Sequence, residues 1–201
     1  MVYQWSLVSN FMNENLPNIE NTKARVEIAT PADWQEFKNL TLEAYTSKDS
    51  WKFGITESNK DKRLENENAM GEIEWEKELS GKNFGVLSRV KDEAVGMGLV
   101  ERREDGLGYW FFHSGYLKEK YRGQGIGQEM FVRRLKEILR RGGGKVVLAV
   151  KAANKESISL AEKFGFEKPA DYQSEEGFFM ELKNVSNPDL ISKINEALDE
   201  R

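Results

Sequence analysis

The chain has 201 residues with a formal net charge of −4, no cysteine and one histidine, His113. The length fits one domain with extensions and room for a substantial core, and the acidic balance lacks the excess basic charge of a nucleic-acid binder. Without cysteine there is no disulfide, thiolate metal site or cysteine nucleophile, and a single histidine excludes a multi-histidine metal centre.

Residues 1–22 carry Tyr3, Trp5, Leu7, Val8, Phe11 and Met12, then an Asn-rich run with Pro17. They read either as a short apolar segment docked on the domain and followed by a linker, or as a disordered leader. They lack the basic start and continuous apolar core of a signal peptide. No run in the chain approaches the ~20 apolar residues of a membrane span. A cytoplasmic protein is expected, with no membrane, nucleic-acid or metal partner. The main domain is expected over 23–184.

Residues 24–29 alternate and predict a first strand. Thr30-Pro31-Ala32-Asp33 is a helix entry, with a capping Thr, Pro at the first helical position and an acid in the first turn. The helix is expected over 31–45, with Trp34, Phe37, Leu40 or Thr41, and Ala44 on its apolar face. The polar stretch 46–72 embeds Trp51 and Phe53, and its charged run 57–67 is a solvated helix or loop. Residues 72–79 predict a short helix with Ile73, Trp75 or Glu76, and Leu79 inward.

Residues 84–90 and 94–102 predict a hairpin, and 109–117 a third strand of the same meander. Gly96 and Gly98 point to a bulge or a close backbone approach in the second of these strands. A helix follows over 128–141 with Met130, Phe131, Leu135, Ile138 and Leu139 inward. Its basic residues Arg133, Arg134, Lys136, Arg140 and Arg141 gather towards the negative C-terminal end. Gly142-Gly143-Gly144 stops it. Residues 145–150 are apolar on both faces and predict a buried strand. Asn154 caps a helix that runs to about 164, and Gly165 ends it. Phe166 begins an extended piece, 177–183 is a last strand, and 187–201 is a tail helix within a C-terminal segment 185–201. The fold class is mixed α+β around a central, mostly antiparallel sheet.

Between the third meander strand and its helix lies Tyr121-Arg122-Gly123-Gln124-Gly125-Ile126-Gly127. The first turn of a helix has N–H groups without intrahelical partners and partial positive charge. Glycines remove the Cβ atoms that would hold an anion away. The stretch reads as a phosphate cradle, against the plainer reading of a tight strand-to-helix turn. It is neither the dinucleotide G-x-G-x-x-G nor a P-loop, since Gly144-Lys145 is followed by Val146.

This order of elements, with R-x-x-G-x-G in Arg122, Gly125 and Gly127 after the fourth strand, resembles the GNAT superfamily of N-acetyltransferases, which use acetyl-CoA. Residues 154–166, N-K-E-S-I-S-L-A-E-K-F-G-F, resemble the family's later helix, with Asn at its start and a Gly-Phe exit. The resemblance covers about residues 23–183. It implies helices on both faces of the sheet and a V-shaped splay between the fourth and fifth strands that admits the pantetheine arm. It further implies that backbone groups of Tyr116, Leu117 and Lys118 bond that arm, with the Leu117 N–H as oxyanion donor. The N–H groups of Arg122, Gly123, Gln124, Gly125, Ile126 and Gly127 would hold the pyrophosphate, with Arg122 and Lys120 adding positive charge. Asn154 and Ser157, at the start of the second motif, would contact the cofactor arm.

The activity implied is direct acetyl transfer from acetyl-CoA to a primary amine, with no acyl-enzyme and no metal. The acceptor is a small-molecule amine or a protein or peptide amine, and the chain is a monomer or a homodimer. For the base, His113 has a suitable intrinsic pKa, and Glu101 near the end of the preceding strand is a second candidate. Strict alternation puts His113 on one face with Tyr109, Phe111 and Leu117, unless a bulge at Gly115 changes the register. Many family members carry a Tyr as general acid four residues before the glycine of the Gly-Phe exit. Here Ala161 stands there, which leaves water, Tyr116, Tyr121 or Tyr172 for that part. It also raises the alternative of a non-catalytic CoA-binding or regulatory module. The acceptor side is expected among Trp34, Tyr45, Trp51, Phe53 and Trp75, either as a flat aromatic wall for a cation or as core packing. A serine hydrolase is disfavoured by the lack of G-x-S-x-G.

Overall fold

The structure, a computed structural model, describes residues 23–104, 108–169 and 177–199. The expected N-terminal extension at 1–22, the turn tip at 105–107, Tyr172 and the last two positions of the tail helix lie outside the described residues.

Strand β1 (Arg25–Ile28) leads through the Thr30–Asp33 entry into α1 (Trp34–Thr46). The capping box there is reciprocal: the Thr30 N–H donates to the Asp33 carboxylate at 2.7 Å. Two short helices follow, α2 (Lys60–Ala69) and α3 (Glu72–Glu78). The charged run at 57–67 is thus largely helical. Helix α3 buries Trp75 and Leu79, one turn apart, while Ile73 is 64% exposed. The expected inward position of Ile73 is corrected, because the four-residue spacing of Trp75 and Leu79 sets the buried side.

The meander consists of β2 (Phe84–Val90), β3 (Glu93–Arg103) and β4 (Tyr109–Leu117). Then come α4 (Ile126–Arg140), β5 (Val146–Lys151), α5 (Lys155–Lys163), β6 (Gly177–Leu182) and α6 (Pro188–Asp199). Among the described residues the extended piece after Phe166 is a single antiparallel bridge, Glu167 to Glu181. The six strands lie in sequence order, β1 to β6, antiparallel throughout except for the parallel β4–β5 pair. No described helix is long and apolar enough to cross a membrane.

Two layers cover the sheet. Helices α1 and α3 pack Phe37, Leu40, Ala44, Trp75 and Leu79 on Leu87, Met97 and Leu99. On the opposite face, Phe131, Leu135 and Ile138 of α4, Phe164 beside α5 and Ile194 of α6 meet Trp110, Phe112, Val146 and Leu148. Burying one such side chain contributes roughly 1.5–3 kcal/mol, so these two clusters set the positions of the strand edges between them. Gly85 of β2 marks where α1 and α3 press closely on the sheet. A Cβ there would lie 2.5 Å from Phe37 Cζ and 2.9 Å from Leu79 Cδ2.

Gly85→Ala should therefore lower stability by about 1–3 kcal/mol, the range for overpacking a filled core. The check is a lower urea midpoint with an unchanged slope.

Candidate active site

Strands β4 and β5 are joined by only three residue pairs, Trp110–Val146, Phe111–Val147 and Phe112–Leu148. Past them, β4 continues to pair with β3 up to Leu117, and β5 with β6 up to Lys151. The facing edges of β4 and β5 part there and leave a cleft. A bulge in β4 accompanies the parting. His113 lies opposite Leu99 and Tyr116 opposite Met97, so β4 spends one residue more than β3. Ser114 absorbs it with φ 52°.

The bulge is the exception to strict alternation that the sequence allowed, centred on Ser114 beside Gly115. Tyr116 joins the cluster under α1 together with Met97 and Leu99, and Leu117 packs on the other side with Ile126 and Met130. The Lys118 N–H donates to the Val95 carbonyl of β3 at 2.9 Å. Alternation of the backbone then directs the Leu117 N–H to the cleft. Among Tyr116, Leu117 and Lys118, it is Leu117 whose backbone faces the splay.

The turn beyond β4 ends in an uncapped helix. Gly125 is the N-cap of α4 with φ 77°, and no side chain caps the first turn. Gly123 has φ 74°. A Cβ at Gly123 or Gly127 would meet nothing within 4 Å. The N–H groups of Ile126, Gly127 and Gln128 thus begin a helix beside open space, a ready anion site. The neighbouring cations are engaged elsewhere. Arg122 Nε donates to the Leu117 carbonyl at 3.0 Å and its guanidinium pairs with Asp49. That hydrogen bond holds the Asp49 carboxyl below its ordinary range. Lys118 and Lys120 reach Glu93 at 2.9 and 3.4 Å. Lys118 foremost keeps the Glu93 carboxyl down at about 2. Gln124 turns its side-chain amide back onto the Lys120 carbonyl at 3.1 Å. The cradle is therefore built of backbone dipoles.

Across the cleft, Asn154 caps α5, its side-chain oxygen accepting from the Ser157 N–H at 3.3 Å. Both residues sit at the mouth of α5 as the sequence implied. Ala161 is fully buried, in one cluster with Phe112, Phe131 and Phe164.

His113 and Glu101 share the face of the sheet that carries α1. Glu101 lies opposite Phe111, two residues along from the Leu99–His113 pair and on the same face. The Glu101 carboxylate pairs with Arg103 at 2.7 Å. The imidazole stacks on Phe111, with ring centroids 5.9 Å apart. Its Nδ1 meets Ser114 Oγ at 3.1 Å, and its Nε2 is buried without a partner. Burial lowers the His113 pKa, with Glu101 opposing and Arg103 and Arg134 reinforcing the shift. Burial, then the Glu101 charge, raises the pKa of Glu78 from α3. On β5, Ala149 is exposed although its strand is interior to the sheet, so none of the described helices covers it.

The hydroxyls of Tyr116 and Tyr121 point to other partners. Tyr116 donates to Glu43 at 2.9 Å, and burial followed by that carboxylate raises its pKa. Tyr121 donates to Glu93 at 2.9 Å. Of the expected aromatic wall, Trp75 is core, Trp34, Tyr45 and Phe53 pack partly buried on the same cluster, with Phe53 6.3 Å from Tyr45 and 6.2 Å from Tyr116 between ring centroids, and Trp51 is exposed. A separate cleft of about 400 Å³ at β1 is lined by Arg25, Glu27, Asp33 and Arg89. Its Arg89 is already held by Glu27, Asp33 and Glu36, so it offers no free charge.

One residue escaped the sequence reading. The sequence groups Arg134 with the basic residues gathered towards the C-terminal end of α4, yet it is 8% exposed. Its spacing was the available signal: it lies four residues after Met130 and four before Ile138, in the inward stripe.

The chain matches the family model described as the acetyltransferase (GNAT) family over residues 34–166. No curated protein matches it in sequence. Among solved structures it is similar to the PaiA N-acetyltransferase of Thermoplasma acidophilum in complex with coenzyme A, at a TM-score of 0.64 and 16% identity over 80% of this chain and 99% of that one. It is also similar to the ribosomal-protein-S18-alanine N-acetyltransferase of Escherichia coli, at 0.58 and 14% over 82% and 96%. A third is YncA of Salmonella typhimurium with its cofactor acetyl-CoA, at 0.58 and 18% over 80% and 94%. At such identities the likeness is one of fold.

The depressed His113 pKa carries a sign for stability. As pH falls below the ordinary value of 6.5, the unfolded chain binds the proton first, so stability falls until the folded-state pKa is passed. His113→Gln should remove that component. Urea unfolding of both forms at about pH 7.5 and about pH 5.5 should show the smaller loss in the variant.

Proposed function

The chain belongs to the GNAT family of acetyltransferases, and on that footing we propose that it transfers an acetyl group from acetyl-CoA directly to a primary amine. The observation that carries this reading is the parting of β4 from β5 beside an uncapped, glycine-lined helix start. A thioester on a long polar arm fits such a cleft, and its pyrophosphate fits the N–H groups at Ile126, Gly127 and Gln128. The unpaired edge of β4 can bond the arm as an added strand. The Leu117 N–H is the donor positioned for the thioester carbonyl, where negative charge develops on attack.

The acceptor must arrive as a neutral amine. With an amine pKa of about 10.4, deprotonation at pH 7 costs roughly 4.6 kcal/mol. His113 is the base favoured here. Its lowered pKa keeps the ring neutral at pH 7, and its buried Nε2 has no partner among the described residues. Glu101 beside it serves either to attract the ammonium form or as a base through water. Glu78 adds a further carboxyl near Glu101.

The acceptor belongs to the class of small-molecule or protein and peptide amines. The S18-alanine enzyme among the similar folds acts on a protein amine, so peptides with free N-termini belong in any panel beside polyamines and amino acids. A second reading, a CoA-binding module without turnover, is favoured by Ala161 at the position of the family's usual acid.

Release of free CoA from acetyl-CoA across such a panel, with donor binding followed by thermal shift, separates the two. Stabilisation with turnover supports the enzyme, stabilisation without turnover on any amine supports the module, and no stabilisation refutes both. Gly127→Asp tests the cradle directly. Open space at this position and the positive helix start should leave folding intact or improve it by about 0.3–1 kcal/mol, while the carboxylate repels the pyrophosphate. CoA-dependent stabilisation should vanish while the unliganded melting temperature holds or rises.

A further inference from the structure

Beyond Phe112, β4 is held by a strand on one side only. Its cleft edge ends at Leu117, and the Leu117 carbonyl is not left open. Arg122 Nε donates to it at 3.0 Å, and the same guanidinium pairs with Asp49. In a strand the N–H and C=O of one residue point to the same side. Whatever grips this carbonyl therefore also sets the direction of the Leu117 N–H.

Asp49 is fixed by its own turn. It precedes the 3-10 turn Ser50–Phe53 that follows α1. Its N–H donates to Ser47 Oγ at 3.2 Å, and its carbonyl accepts from the Lys52 N–H at 2.9 Å. Its side chain is 16% exposed, and the second carboxylate oxygen lies 3.8 Å from Lys52 Nζ. The same stretch of chain grips the neighbours of Leu117. Tyr116 donates to Glu43 at 2.9 Å and stands edge-on to Phe53, and Glu119 meets Lys48 at 2.5 Å. Single pairs of this kind add little stability. Together they converge on residues 116, 117 and 119, just past the bulge at Ser114, where β4 has no β5 partner to keep it in place. Arg122 also lies three residues before Gly125, the N-cap of α4. Guanidinium pairs with phosphate as readily as with carboxylate, so an unheld Arg122 would leave the Leu117 carbonyl for a bound pyrophosphate.

Resting on the reading of this cleft as the acetyl-CoA site with the Leu117 N–H as oxyanion donor, we propose that Asp49 is a positioning residue for acetyl transfer. It retains Arg122 on the Leu117 carbonyl while the donor is bound, and so keeps the Leu117 N–H aimed at the thioester oxygen. Asp49 and Arg122 touch none of the reacting atoms and exchange no proton in the step. Their part is the placement of one N–H, the group that faces the negative charge as it develops.

One substitution should then move two readouts in different directions. Asp49→Asn should lower kcat by about 10- to 100-fold, the scale of an ångström of misplacement. CoA binding, measured by calorimetry, should be no weaker and up to about fivefold tighter, the fold-change of an exposed ion pair, because Arg122 is freed for the phosphates. A purely structural defect would weaken both. Asp49→Glu should recover part of kcat. Arg122→Met should lower kcat by a similar factor without tightening CoA, and adding Asp49→Asn to it should cost little more, since the two residues act as one unit. An unchanged kcat in Asp49→Asn, a parallel loss of CoA binding, or independent losses in the double variant overturns the assignment. If Asp49→Asn does not fold, Asp49→Glu and Arg122→Met decide. If the wild-type chain binds no CoA, or binds it without turnover on any amine, the reading of the cleft falls and this inference with it.

Discussion

A parallel strand pair that stops at Phe112 and Leu148 leaves two rows of backbone N–H and C=O groups without ladder partners inside a sheet. Such groups are costly to bury dry. The fold holds them apart because each strand is anchored on its far side, β4 by β3 and β5 by β6, while α4 and α5 pack under both. Everything assigned to donor recognition follows from that separation. The cleft, the exposed backbone of Leu117 and the direction in which α4 presents its first turn are fixed by the same packing.

Charge is distributed with comparable economy. The cations nearest the cradle are neutralised by Asp49 and Glu93, so anion recognition falls to oriented N–H groups. Exposed pairs of this kind add little stability; their effect is to tie the end of β4 to the segments around it. Arg134 is the exception, a desolvated guanidinium held by two aromatic faces, each such contact worth about 2 kcal/mol when water is excluded.

Much of the architecture was legible because glycine and proline punctuate it. The Pro31 entry, the Gly142–Gly144 stop and the Asn154 cap all mark observed helix ends. The glycine turn was readable because it depends on a backbone conformation that glycine alone adopts readily, as at Gly123 and Gly125. Side-chain roles were less legible. Arg134 resembles its solvated neighbours in sequence, and only the inward stripe distinguishes it. The face of Tyr116 depended on a bulge that the glycine at 115 allowed but periodicity alone could not decide. The partners of Arg122 and Lys118 come from α1, β3 and the segment between α1 and α2, far away in the chain, so their neutralisation is a property of the tertiary structure.

The open ground beside Gly123 and Gly127 has an evolutionary consequence. On the proposed reading, donor recognition is a matter of main-chain shape, which a change of side chain need not alter. The uncovered face around His113, Glu101 and Ala149 is a matter of side chains, each free to vary on a sheet that the rest of the fold secures. A lineage built this way inherits its donor almost unchanged while its acceptor drifts, so descendants that share the cradle need share no metabolite.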